Sequence, residues 1–200
     1  MSTTLPPSSH ASAASSRPRK PLVDAFLRTL HAALALGFVV SYLTSESEAW
    51  QTVHVYSGYA LAGVLVLRAL WGLVGPTPAR WSVLYRRVSL WRVWWTKLQA
   101  GQWLDHTVWV GVSAWLLAAT VTSIYFTTLF SIATGLASYN EWLGDGLLDD
   151  AVHELHEDLG NMTLFLVLTH LSLVVVLRLW RGPQAVRPMW RGHANSARRG

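Results

Sequence analysis

Four long apolar runs divide the chain, at about 22–43, 53–75, 107–129 and 153–180, with polar stretches between them. Each reaches the ~20 residues that a helix needs to cross ~30 Å of hydrocarbon. The fourth is over-long, so its first turn is expected to project from the bilayer. The pattern predicts an all-α membrane protein, a four-helix up-down bundle over 21–181. Residues 1–20 are rich in Ser, Ala and Pro and close on Arg17-Pro18-Arg19-Lys20, which reads as a disordered basic tail. Residues 182–200 read as a second basic tail. The first apolar run begins after residue 20 and is long enough to span, unlike the short core of a cleaved signal peptide.

The connection between the second and third spans departs from a simple loop. Trp81, Tyr85, Val88, Trp91, Trp95 and Leu98 recur at helical spacing, with Arg86, Arg87, Arg92 and Lys97 among them. This predicts an interfacial amphipathic helix lying on anionic lipid headgroups. Basic and aromatic interleaving also suits nucleic acid, but nothing else in the chain supports that use, so no nucleic-acid partner is expected.

Charge then orients the spans. All 16 Lys and Arg fall in the two tails, the second connection or the span halves adjoining them. Of the 11 acids, only Asp24 and Asp105 join that side, leaving +14 there. Opposite stand Glu46, Glu48, Glu141, Asp145, Asp149, Asp150, Glu154, Glu157 and Asp158, a charge of −9, for the net +5. The positive-inside rule places both termini in the cytoplasm.

Composition agrees, with 52% apolar and 14% charged residues, and with 12 Trp gathered at the ends of the apolar runs. The absence of cysteine excludes disulfides, iron–sulfur clusters, thiolate zinc sites and covalent CxxCH haem attachment within this chain.

Threading the spans up and down fixes the depth of each intramembrane polar residue. His54 opens the second span and His156 the fourth, so both lie near the outer, acidic surface. His31 in the first span and His170 in the fourth share the inner half. His156 and His170 are 14 residues apart, close to four turns, so they face the same way with roughly 21 Å between them. Histidine is costly in a bilayer, and two pairs at matched depth ask for a ligand. Bundles build cofactor sites from facing side chains, and two axial imidazoles are what a low-spin haem requires.

Arg68 shares His54's helix face at the inner depth, where its guanidinium would meet a haem propionate. Arg28, one turn before His31, reaches the same region. Gly58, one turn after His54, and Gly63 would let a flat macrocycle approach the backbone. His153 competes with His156, but its 17-residue separation from His170 turns it about 100° off the shared face, so it is expected to cap or face water. His106, beside Asp105, reads as interfacial.

With these residues in hand, the chain resembles the bacterial cytochrome b561 family, which also takes in the b-type cytochrome subunits of nickel–iron hydrogenases and formate dehydrogenases. The resemblance covers roughly 22–185. It is carried by His54-Val-Tyr-Ser-Gly58-Tyr59 running on to Arg68-Ala-Leu-Trp71-Gly72-Leu-Val-Gly75, by Arg28-Thr-Leu-His31 and by the fourth-span histidines. The chain departs from the family pattern at Ala32, usually Trp, and at His106-Thr-Val, usually His-Asn-Pro.

The resemblance implies a bacterial inner-membrane cytochrome with two non-covalent b haems, ligated by His31/His170 and His54/His156, exchanging electrons with quinone. A basic periplasmic cytochrome c or extracytoplasmic redox subunit is the expected partner of the acidic face. A superoxide:quinone oxidoreductase is known in the same family, but a −9 outer face would repel the superoxide anion. A haem-free membrane scaffold is the remaining alternative.

Overall fold

The computed structural model describes residues 25–181 except 104, 143 and 145, together with all side chains in that range but that of Pro78. The two expected tails, the expected start of the first span at 22, Asp24 and Asp145 lie outside the described residues. Among the described residues six α-helices follow in order: α1 (Ala25–Leu43), α2 (Gln51–Val74), α3 (Trp81–Val88), α4 (Trp91–Gln99), α5 (His106–Tyr139) and α6 (Leu147–Arg181). α1, α2, α5 and α6 are long and apolar enough to cross a membrane.

Their ends follow from local chemistry. α2 stops at Gly75, whose extended backbone precedes Pro76, a residue that disfavours helix before it. Asp105 caps α5, accepting from the Thr107 amide and hydroxyl, each at 2.8 Å. Those bonds hold the Asp105 carboxyl below the usual carboxylate range. α6 opens on Asp149 and Asp150 and closes on Arg178 and Arg181, each sign opposed to the helix dipole at its end.

α1 packs along α2 and α5 along α6, as two antiparallel hairpins whose direct meeting, α2 on α5, is slight by comparison. Within the first hairpin, Gly37 lets Leu61 approach so closely that a Cβ there would stand 2.9 Å from its methyl carbon. Few of the described residues are buried, among them Leu61, Leu65, Val108 and Thr163, while Leu36, Val66, Phe165 and Leu179 point outward. An apolar exterior of this kind suits a lipid surround.

Two of the helices outrun the spans read from hydropathy. The third helix runs ten residues beyond 129, to Tyr139, and α6 begins at Leu147 rather than 153. The stretch 130–139 carries no proline and pairs with the early turns of α6, so packing between helices extends both past the span estimate. At 34 residues α5 is about 51 Å long, well over a bilayer's hydrocarbon thickness.

The second connection is two short helices, not one. The Trp115 indole donates to the Val88 carbonyl at 3.0 Å, and the Ser89 hydroxyl bonds back to Arg86 at 3.0 Å. Both divert carbonyls that a continuous helix would use. Tyr85, Trp91 and Trp95 remain exposed, as the amphipathic reading expects, but Trp81 and Trp94 turn into the bundle.

Candidate cofactor site

At one end of the bundle, His54 of α2 and His156 of α6 bring their rings to 6.0 Å between centroids, at 81° to one another. Each is held from behind by its own hairpin. His54 donates from Nδ1 to the Ser41 carbonyl of α1 at 2.8 Å, and His156 from Nδ1 to the Ser131 carbonyl of α5 at 2.8 Å. A carbonyl only accepts, so both Nδ1 atoms carry a proton, and in the neutral ring that leaves Nε2 with the lone pair. That is the arrangement by which a backbone carbonyl behind the ring prepares an imidazole to bind metal. Ser41 lies in the last turn of α1, where carbonyls lack a helical partner and are available to a side chain.

Glycines complete the geometry in two different ways. A Cβ at Gly135 would stand 2.7 Å from His156 Cε1 and 2.9 Å from Nδ1, so only glycine lets the imidazole lie against α5. Gly58 and Gly160, each one turn after its histidine, would meet nothing within 4 Å if given a Cβ. Both line a cavity of about 590 Å³ shared with His54, His156, Phe38 and Ile132. Tyr42 of α1 donates to Asn161 Oδ1 of α6 at 3.3 Å on its wall.

These residues fit a haem. Imidazole–metal bonds of about 2 Å on either side of one ion put ring centroids about 6 Å apart, and the glycine surfaces leave room for a flat ring. The volume falls in the usual range of ligand pockets, about 300–1,000 Å³.

The second level is built differently. His170 of α6 lies 14 residues below His156, about 21 Å along the helix. It is half-buried, and its buried Nδ1 has no hydrogen-bond partner among the described residues. His31 of α1 is near enough to interact with it electrostatically. A buried ring nitrogen left without a partner is costly, and a ligand is one way to satisfy it. The two rings do not make the direct contact seen in the outer pair.

Arg28 is half-buried one turn before His31. Arg68 stands 14 residues after His54, the same offset as His170 from His156. Its guanidinium lies over the Trp81 ring, 4.5 Å from the centroid.

The two histidines read as lying outside the paired levels, His153 by helix phase and His106 by its place beside Asp105, make other contacts. His153 is exposed and pairs with Glu157 at 3.4 Å. His106, at the first position of α5, meets the Trp180 ring at 5.6 Å. Ser41, Ser131, Gly135, Gly160 and Trp81 were not singled out by sequence reasoning for these roles. Gly160 had a readable signal, since His156-x-x-x-Gly160 repeats the spacing of His54-x-x-x-Gly58.

Fold and geometry together define a membrane helix bundle in which two imidazoles from different hairpins face one cavity. The family model described as Prokaryotic cytochrome b561 matches residues 22–192, and the chain belongs to that family. It is thus a multi-pass membrane b-type cytochrome of electron transfer, in a family that binds haem b. No curated protein and no solved structure matches the chain.

Proposed function

We propose that this cytochrome holds two b haems, an outer one between His54 and His156 and an inner one between His31 and His170, and moves electrons between quinone and an extracytoplasmic redox partner. The observation that carries the reading is the outer imidazole pair, two rings 6.0 Å apart with both Nδ1 atoms turned to carbonyls. A haem held by two imidazoles supplies a one-electron centre with no open iron position, which suits transfer rather than oxygen chemistry.

The chain's own work is placement. Ser41 and Ser131 fix the tautomer and direction of the outer imidazoles, and Gly58 and Gly160 leave their flanks open. Arg68 and Arg28 bring positive charge to the inner level, where a guanidinium would pair with a propionate. α6 spaces the two levels by about 21 Å.

Orientation follows the charge asymmetry. Both termini are placed in the cytoplasm of a bacterial inner membrane, with the outer pair facing the periplasm. There Glu46, Glu48, Glu141, Asp150, Glu154, Glu157 and Asp158 are exposed. Acids contribute little to topology, so their excess calls for another use. A basic partner, a soluble cytochrome c or an extracytoplasmic subunit, fits that field. Haem quantification per purified chain tests the reading. Two b haems are expected, and a single haem would contradict it.

A further inference from the structure

The turn that follows α2 folds Trp81 back against the helix it has just left. The Trp81 indole N–H donates to the Ala69 carbonyl at 3.0 Å. The ring lies against Gly72, where any Cβ would overlap it. The Arg68 guanidinium rests on the indole face, with Cζ 4.5 Å from the ring centroid. Tyr125 of α5 meets the same indole at 4.7 Å between centroids, edge to face, and its hydroxyl donates to the Leu65 carbonyl at 3.3 Å. One side chain thus joins α2, α3 and α5 on the turn of α2 that carries Arg68.

Arginine has a long stem with many rotamers, and a charge at membrane depth must be held in one place to act on a fixed neighbour. An indole is the strongest of the aromatic partners for a cation, and its attraction grows when water is excluded. The indole is in turn fixed by its N–H bond, by Tyr125 and by the surface that Gly72 leaves bare. Gly72 is two-sided in its meaning: a glycine within a helix costs stability relative to alanine, and here it makes room for the ring.

We propose that Trp81 is a positioning residue, which fixes the Arg68 guanidinium at the inner histidine level and so sets the midpoint potential of the centre bound there. The inference rests on the reading of Arg68 given above. It treats α3 as more than a lipid-facing helix, because its first residue reaches a redox centre through Arg68. A Trp81 that merely tied α2 to α5 would alter stability, and its effect on potential would not depend on Arg68.

The test is a double-mutant cycle on the purified holoprotein, with both midpoint potentials read by spectroscopic redox titration. Trp81→Leu should lower the inner potential by about tenfold in its redox equilibrium, ~59 mV for one electron. The outer potential should stay in place. In an Arg68→Leu background the same change should add less than about twofold, because contributions that act through one another are not additive. Trp81→Phe, which keeps a ring beneath the guanidinium but loses the bond to Ala69, should restore most of the potential.

A Trp81→Leu shift of equal size with and without Arg68, or no inner shift at all, overturns the proposal. If Trp81→Leu does not accumulate, Gly72→Ala displaces the indole instead. It should lower the inner potential, and an unchanged value there overturns the proposal equally. Should Arg68→Leu itself leave the inner potential untouched, the inner-site role of Arg68 falls and this inference with it. An intact Arg68 effect with a failed cycle removes only the role of Trp81.

Discussion

His54 and His156 stand on different hairpins, yet each turns Nδ1 to a serine carbonyl of its own hairpin at 2.8 Å, and the two rings meet 6.0 Å apart. The outer site is therefore assembled from two halves that repeat one device. Each half offers a serine carbonyl, a histidine and, one turn on, a glycine with open space before it. His170 and Arg68 extend the repeat, since each follows its outer histidine by 14 residues. The same position carries an imidazole on α6 and a guanidinium on α2.

Gly135 is the first point at which this can be broken. A Cβ there would press on the His156 ring at 2.7 Å. Overpacking of this kind costs about 1–3 kcal/mol. Gly135→Ala should therefore lower outer haem occupancy roughly tenfold at limiting haem while the inner haem remains, as read by difference spectra. Normal occupancy of both would show that the ring is not held against α5.

Gly58 gives the complementary result. A side chain there meets no protein atom within 4 Å of its Cβ, so Gly58→Val should fold and insert as the parent does. It should nonetheless lose most of the outer spectral component, because the added methyl groups enter the cavity that Gly58 lines. Undiminished outer haem in this variant would place the macrocycle elsewhere.

Arg68→Leu should lower the inner midpoint potential, since a nearby cation favours the more negative, reduced state. Arg68→Lys should fall between the two, because an ammonium keeps the charge and loses the planar fork and much of the stacking on Trp81. Spectroscopic redox titration reads both shifts, and an outer potential that moved instead would reassign the residue.

The acidic face should make electron exchange with a basic cytochrome c slow steeply as salt rises, because fields at the surface are screened within ~8 Å at physiological ionic strength. Replacing Asp150, Glu154 and Asp158 together by their amides should flatten that dependence and leave both haem spectra alone. A rate that ignored salt and substitution alike would favour a tightly bound membrane subunit as the partner.

The helices and the histidine levels were legible because hydropathy and a 3.6-residue period act along the chain. His31, His54, His156 and His170 stand out against apolar runs, and helix phase alone separates His156 from His153. What the sequence withheld lies across the chain. The carbonyls of Ser41 and Ser131 are backbone groups, and no side-chain pattern marks them. Gly135 fell outside a third span cut at 129, since the bilayer length limits hydrocarbon but not the packing of α5 on α6. Trp81 sits in the same periodic stripe as Tyr85 and Trp91, so it read as lipid-facing. The turn after α2 sends it inward, and the side-chain bonds to the Val88 and Arg86 carbonyls explain why one predicted helix is two.

A series of four single His→Ala variants measures directly which imidazoles act together. Reduced-minus-oxidised spectra of the purified proteins should sort them into two pairs. His54→Ala and His156→Ala are expected to remove one b-type component and spare the other, while His31→Ala and His170→Ala do the reverse. If His31→Ala and His54→Ala removed the same component, the two-level arrangement would be contradicted.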